Sequence, residues 1–156
     1  MSTLNDLLNI AIVQEQNSQK LYQRGADIAQ DEETRKFFKQ LVNEEKRHED
    51  LLYNIRETEL YEIDTPIDDP EIIKLAQTSH GSNELNLPDD LPIARLLEIA
   101  MQREQTAKLR YKKAAELTAN KTLRELLENL SQEEETHRLR VEKYFKMHKG
   151  LFGDES

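Results

Sequence analysis

The sequence predicts an all-α fold, a four-helix bundle built from two repeated helical hairpins that a long crossover joins. Three observations lead to this prediction: four long segments have the composition and spacing of helices, all four prolines fall between the second and third segments, and the two halves of the chain are alike. The chain has 156 residues, which suits one domain, so we expect a single domain over residues 1–156.

Four segments are almost free of helix-breaking residues, with Gly25 as the one exception. They span Leu4–Ala29, Glu32–Glu59, Ile93–Thr118 and Lys121–Lys149. Asp31 and Asn120 precede the second and fourth segments and are of the types that cap helix N-termini. Each of these helices therefore follows its predecessor through a tight turn, which predicts two antiparallel hairpins.

The connector, residues 60–92, holds every proline of the chain. It is long enough to travel the length of a bundle, which permits the second and third helices to run parallel. We expect a short helix at Glu71–Gln77 within it, and His80 in a surface loop. The alternative is a flexible linker between two independent hairpins, but a lone hairpin could not bury its apolar stripe.

The two halves repeat each other at an offset of 89 residues, with 13 identities over the 49 positions that align 4–52 with 93–141. The offset places Tyr22 on Tyr111, and it pairs Glu45 with Glu134 and His48 with His137. We therefore interpret residues 4–59 and 93–149 as two copies of one hairpin.

Polar residues interrupt the inward face of every helix at one height. Glu45 and His48 occupy positions in the apolar stripe of the second helix, and Glu134 and His137 repeat this in the fourth. The first and third helices carry Glu15 and Glu104 in the middle of their inward faces, where Lys and Arg are absent. At a rise of about 1.5 Å per residue these groups lie at similar distances from the turns, so they form one layer.

Four buried carboxylates would repel one another and lose their hydration, so the layer needs cations. Two divalent ions bring the charge of four carboxylates and two neutral imidazoles to zero. One Glu from each of two helices plus Glu-x-x-His from each of the other two is a known ligand set for two iron or manganese ions. We expect metal ligation by Glu15, Glu45, His48, Glu104, Glu134 and His137, with Glu45 and Glu134 bridging. The alternative is a metal-free layer of salt bridges and hydrogen bonds.

Composition excludes several functional classes. A net charge of −9 argues against nucleic-acid binding, and the absence of cysteine excludes disulfides, thiolate zinc sites, iron–sulfur clusters and thiol catalysis. The N-terminus does not resemble a signal peptide, and no apolar run approaches a membrane span. We expect a cytoplasmic protein without nucleic-acid or membrane partners.

Residues near the layer have less specific interpretations. Tyr22 and Tyr111 lie on the faces of Glu15 and Glu104, where they could bind a ligand, donate an electron or simply fill the core. Glu44 and Glu133 are expected to be solvated neighbours of the layer or metal-entry groups. We expect His148 to be a cation at the end of a helix, and Leu151 and Phe152 to lie in a frayed tail or to dock on a neighbour.

At Glu15, Glu45–His48, Glu104 and Glu134–His137 the sequence resembles the ferritin-like superfamily, and most closely the diiron domain of rubrerythrins, over about residues 4–148. The spacing of Glu15 to Tyr22 and of Glu104 to Tyr111 strengthens the resemblance. It implies a carboxylate-bridged diiron site that reacts with peroxide or dioxygen.

Two departures separate the sequence from full-length rubrerythrins. Those proteins carry a rubredoxin domain with four cysteines, so this chain would need an external electron donor. They also have a second ligating Glu three residues after the first on the third helix, where this chain has Ala107. Six ligands then remain instead of seven, which bears on peroxidase activity.

The resulting hypothesis is a diiron oxidoreductase that acts on peroxide or dioxygen and forms a homodimer. Manganese is the alternative metal, and zinc could be present as purified. The alternative functions are ferroxidation with iron storage or delivery, hydroxylation of an organic substrate, manganese catalase activity and a purely structural bundle.

Overall fold

Four α-helices dominate the fold. The structure, a computed structural model, describes residues 3–58, 60–64, 66, 70 and 85–149. The helices are α1 (Leu4–Ile28), α2 (Glu32–Glu57), α3 (Ile93–Leu117) and α4 (Lys121–His148). The predicted helix at Glu71–Gln77, the predicted loop position of His80 and the predicted tail at Leu151 and Phe152 lie outside the described residues.

Side chains cap three of the helix N-termini. Asp31 accepts a hydrogen bond from the Thr34 amide and Asn120 from the Leu123 amide, as the sequence predicts. Thr3 and Asp6 form a reciprocal capping box at the start of α1, which the sequence analysis did not anticipate.

The predicted C-terminal helix ends at Ala29, Glu59, Thr118 and Lys149 are wrong by one or two residues. Ala29 and Thr118 take extended backbone conformations and serve as C-caps of α1 and α3. Thr58 and Lys149 are the C-caps of α2 and α4, although their backbone angles stay in the right-handed helical region. Composition alone did not mark these boundaries, because no glycine or proline stands at them.

The four-helix bundle predicted from the sequence is confirmed. α1 packs on α2 and α3 packs on α4 as two hairpins, with smaller contacts of α1 on α3 and of α2 on α4. The helices therefore follow the order α1, α2, α4, α3 around the bundle, and α2 and α3 lie diagonally opposite each other. None of the helices in the described part of the chain has both the length and the apolar character that crossing a bilayer requires.

Two apolar clusters fill the opposite ends of the bundle. One holds the N-terminal half of α1, the C-terminal parts of α2 and α3, and the first part of α4. The other holds the C-terminal part of α1 and the N-terminal parts of α2 and α3, together with Val141 of α4. The membership of these clusters shows that α2 and α3 run parallel, so the connector must return along the bundle. The polar layer lies between the two clusters.

Gly25 is the one glycine of the helices, and it lies against the Phe38 ring. A β-carbon at Gly25 would be 2.7 Å from the carbons of this ring, and Phe38 itself is fully buried. At the offset of 89 residues the equivalent pair is Ala114 and Leu127, both also buried. The large ring in the first hairpin therefore coincides with the loss of a methyl group on the facing helix.

We predict that Gly25→Ala lowers the free energy of unfolding. Alanine favours the helix by about 1 kcal/mol over glycine, but overpacking against the ring costs ~1–3 kcal/mol. In Gly25→Ala/Phe38→Leu, which copies the pair of the second hairpin, the two effects should be strongly non-additive. Urea denaturation of the four proteins of this double-mutant cycle measures the coupling, and additive effects would contradict the packing argument.

Candidate metal centre

Six buried side chains form the polar layer between the two apolar clusters. α1 and α3 contribute one carboxylate each, and α2 and α4 contribute a carboxylate and an imidazole each. All six have exposed fractions of 2% or less: Glu15, Glu45, His48, Glu104, Glu134 and His137. The structure thus brings together every residue that the sequence analysis nominated as a ligand. Their role as ligands stays a prediction.

The six side chains form two groups of four that could each surround one ion. Glu15 and His48 belong to the first group, Glu104 and His137 belong to the second, and Glu45 and Glu134 belong to both. Within each group one nitrogen or oxygen atom per residue lies within 4.8 Å of all the others. The shared residues are the pair expected to bridge the ions.

Both imidazoles turn the same nitrogen atom toward the layer. His48 Nδ1 lies 3.1 Å from a Glu134 oxygen, and His137 Nδ1 lies 2.9 Å from a Glu45 oxygen. Each histidine therefore approaches the carboxylate that the other hairpin contributes to the shared pair. The rings are nearly parallel, with centroids 5.6 Å apart.

Two tyrosines fix the carboxylates of the opposite hairpin. Tyr111 donates a hydrogen bond of 2.6 Å to Glu15 Oε1, and Tyr22 donates a short one to Glu104 Oε1. Burial and the neighbouring carboxylates raise the pKa of both tyrosines well above the usual value, so each phenol keeps its proton. The Oε2 atom of each carboxylate stays free to face the layer.

The electrostatics of the layer show an excess of negative charge. Burial and the other carboxylates raise the pKa of Glu45 and Glu104 well above the ordinary range. Burial would lower the histidine pKa values, but the contacts with carboxylates outweigh it and raise them to about 11 for His48 and about 10 for His137. Burial likewise opposes ionisation of Glu134, yet the two histidines hold its pKa at about 2. Protons thus neutralise the layer where metal cations could do so.

The donor atoms at the centre of the layer lack hydrogen bonds. Seven buried atoms of the six side chains have no hydrogen-bond partner: Glu15 Oε2, both oxygens of Glu45, His48 Nδ1, Glu104 Oε2, Glu134 Oε1 and His137 Nδ1. Such atoms are rare in folded proteins, because each costs free energy unless an ion or a water molecule satisfies it. Oxygen and imidazole donors without sulfur suit iron or manganese. The residues therefore fit a dinuclear metal site.

Comparison with known families decides the relationship. The family model described as Rubrerythrin matches residues 6–145. This chain belongs to the Rubrerythrin family. No curated protein sequence matches it as a relative.

Two solved structures share the fold of this rubrerythrin-family chain. A hypothetical protein from Pyrococcus furiosus superposes with a TM-score of 0.71 at 21% identity, covering 95% of this chain and 91% of the other. The bacterioferritin-related protein from Bacteroides fragilis, described as a dodecameric thioferritin, has a TM-score of 0.69 at 23% identity, with 97% and 89% covered. At these identities the likeness shows the fold alone.

Two further carboxylates contact the outer nitrogen atoms of the histidines. Glu133 Oε1 lies 3.4 Å from His48 Nε2, and Glu44 Oε1 lies 3.5 Å from His137 Nε2. Arginines hold both carboxylates from the facing helix, Arg47 at 2.5 Å from Glu133 and Arg140 at 3.2 Å from Glu44. Neither expectation for Glu44 and Glu133, as solvated neighbours or metal-entry groups, included this contact. Their retention in both halves, one position before the ligand Glu, was the signal in the sequence.

Two arginines of α3 lie close to the layer, although the inward positions of the sequence pattern contain none. Arg110 is buried, and Arg103 is half-buried and donates a 2.7 Å hydrogen bond to Gln14. Burial lowers the pKa of both guanidinium groups. Ala107 lies between them in sequence and is buried, so no carboxylate occupies the position of the seventh ligand. The inward stripe missed these arginines because they lie one position beside it, next to Glu104 and Tyr111.

We predict that Glu133→Gln weakens metal binding without removing it. The variant keeps the size of the side chain but removes the charge that orients the His48 ring, and loss of such an outer partner lowers metal affinity roughly 10–100-fold. Competition with a chromogenic chelator measures the affinity. Glu128→Gln, an exposed position of the same helix, is the control. Equal affinities for the two variants would show that Glu133 does not position His48.

Proposed function

We propose that this protein is a diiron oxidoreductase that reduces peroxide with electrons from an external donor. The observation that carries the proposal is the set of seven buried donor atoms without hydrogen bonds, arranged in two groups that share Glu45 and Glu134. Membership of the Rubrerythrin family supports iron as the metal. When bound, the iron ions supply electrons and polarise the peroxide.

Each side chain of the layer has a role in this proposal. Glu15 and His48 hold one ion, Glu104 and His137 hold the other, and Glu45 and Glu134 connect them. Tyr111 and Tyr22 keep Glu15 and Glu104 in place through their Oε1 atoms, which directs the Oε2 atoms to the ions. Glu133 and Glu44 orient the two imidazoles from outside.

The surroundings of the layer determine how a small oxidant can react there. Apolar clusters close the bundle on both sides of the layer, so water is largely excluded and charges interact strongly. This confinement favours a molecule of the size of peroxide or dioxygen over a large organic substrate. The family's seventh carboxylate is replaced by Ala107, so the two ions are held by six side chains.

Iron oxidation with storage is the second candidate function. The fold it shares with a structure described as a dodecameric thioferritin favours this candidate over the others, since an assembly of many copies could enclose iron. A homodimer is our proposal for the peroxide-reducing protein. The native mass therefore separates the two candidates, as does iron uptake beyond about two ions per chain, the capacity of the two groups of ligands.

We predict about two iron ions per chain in wild type, as the two groups of ligands require, and a loss of one or both in Glu45→Ala and in His137→Ala. Elemental mass spectrometry after anaerobic loading measures the content. Asp50→Ala, an exposed carboxylate on α2, is the matched control. The Glu45 variant should stay folded, because it removes a buried charge. Full occupancy in either ligand variant would reject the site.

The reaction itself is tested by mixing the anaerobically loaded ferrous protein with hydrogen peroxide. One peroxide takes one electron from each of two ferrous ions, and we expect this stoichiometry in stopped-flow absorbance. Repeated consumption of peroxide in the presence of a chemical reductant would support the oxidoreductase. Loaded protein that is inert to peroxide but oxidises many ferrous ions per chain with dioxygen would favour storage.

A further inference from the structure

A row of aromatic rings leads from the metal layer to the protein surface. Tyr22, whose hydroxyl binds Glu104, has its ring centroid 6.2 Å from that of Phe38. The Phe38 ring lies 5.4 Å from the Phe37 ring, which stacks on Tyr144 at 4.0 Å and an interplanar angle of 8°. Each spacing corresponds to direct contact between aromatic rings. The row is therefore unbroken from a candidate metal ligand to Tyr144.

The outer end of the row reaches solvent. Tyr22, Phe38 and Phe37 are buried, whereas Tyr144 is half-buried and lines a surface pocket of about 300 Å³. The Tyr144 hydroxyl donates to Glu33 Oε1 at 3.4 Å, so an exposed carboxylate is placed to accept its proton. A small molecule in this pocket would meet the last ring of the row.

The second hairpin fills the equivalent positions without aromatic rings. At the offset of 89 residues, Phe37 corresponds to Leu126, Phe38 to Leu127 and Tyr144 to Ile55. Leu127 and Ile55 are buried in the apolar cluster around Tyr111. Aliphatic side chains therefore suffice to pack this part of the bundle, and packing alone does not explain why one hairpin has a row of rings.

We propose that Tyr22, Phe38, Phe37 and Tyr144 form a relay that carries oxidising equivalents from the metal layer to the surface, where a one-electron donor reduces Tyr144. The relay rests on the proposed function, because hydrogen peroxide at the metal layer is the oxidant. It identifies the pocket at Tyr144 as the place where electrons enter the protein.

The steps balance for each electron. Tyr22 loses an electron to the metal centre and its phenolic proton to Glu104. An electron from Tyr144 then passes through the two phenylalanine rings to Tyr22, which recovers its proton from Glu104. Tyr144 passes its own proton to Glu33 and becomes a neutral radical, which a donor such as ascorbate reduces by transfer of a hydrogen atom. Two electrons and two protons cleave one hydrogen peroxide into two water molecules.

The test locates the radical. Iron-loaded protein is mixed with hydrogen peroxide, freeze-quenched for electron paramagnetic resonance, and in parallel treated with a nitroso spin trap before peptide mass spectrometry. We expect a tyrosyl signal in wild type and the trapped adduct on Tyr144. Tyr144→Phe keeps the stacked ring and should lose this adduct. Tyr53, equally half-buried but packed against the other apolar cluster, is the internal control.

The decisive variant is Phe37→Leu/Phe38→Leu, which installs the residues of the second hairpin and keeps both tyrosines and all six candidate ligands. We expect loss of the Tyr144 adduct, with the radical signal retained on Tyr22. Circular dichroism and iron content verify that the variant is folded and loaded, and the single variant Phe37→Leu replaces it if it is not.

Three results would overturn the relay. The Tyr144 adduct could persist in the leucine variant at the wild-type level, or Tyr53 could be trapped as strongly as Tyr144 in wild type. Wild type could also consume peroxide without an adduct on Tyr144, which would reject the relay and leave the proposed function intact. Loaded wild type that neither consumes peroxide nor forms a radical would reject both.

Discussion

Four carboxylates in the middle of a bundle impose the constraint on which the rest of this structure depends. Each would cost several kcal/mol to bury as an isolated ion, and they repel one another at the distances seen here. The apolar clusters on either side leave no room for solvent to solve the problem. Protons can neutralise the layer, as the raised pKa values of Glu45 and Glu104 show, but they leave seven donor atoms without hydrogen bonds. Two divalent ions would satisfy both the charge and the donors.

The internal repeat explains how the layer is held in place. Each hairpin supplies a tyrosine that fixes a carboxylate of the other, and each supplies a carboxylate that contacts the outer nitrogen of the other's histidine. These contacts cross between the hairpins, so neither hairpin can form its half of the site alone. The crossover places α2 and α3 parallel and diagonally opposite, which makes every pair of neighbouring helices antiparallel. This arrangement lets the two copies face each other around the layer.

The bundle and the composition of its polar layer followed from the sequence because both depend on helical periodicity. Glu45 and His48 interrupt an apolar stripe, and a second copy at a fixed offset repeats the interruption. The contacts made by Glu44, Glu133, Arg103 and Arg110 did not follow. These side chains lie one position beside the stripe, and only the register between helices decides what they meet. The aromatic row was hidden for the same reason, since Phe37 and Tyr144 are far apart in sequence and meet only across α2 and α4.

The central claim is that cations, and not protons, neutralise the layer in the working protein. The most direct test is a crystal of iron-loaded protein measured at the iron absorption edge. The account predicts two anomalous difference peaks, one within reach of Glu15 and His48 and one within reach of Glu104 and His137, with Glu45 and Glu134 between them. A map without peaks, in which the histidines instead form well-aligned hydrogen bonds with the carboxylates, would contradict it.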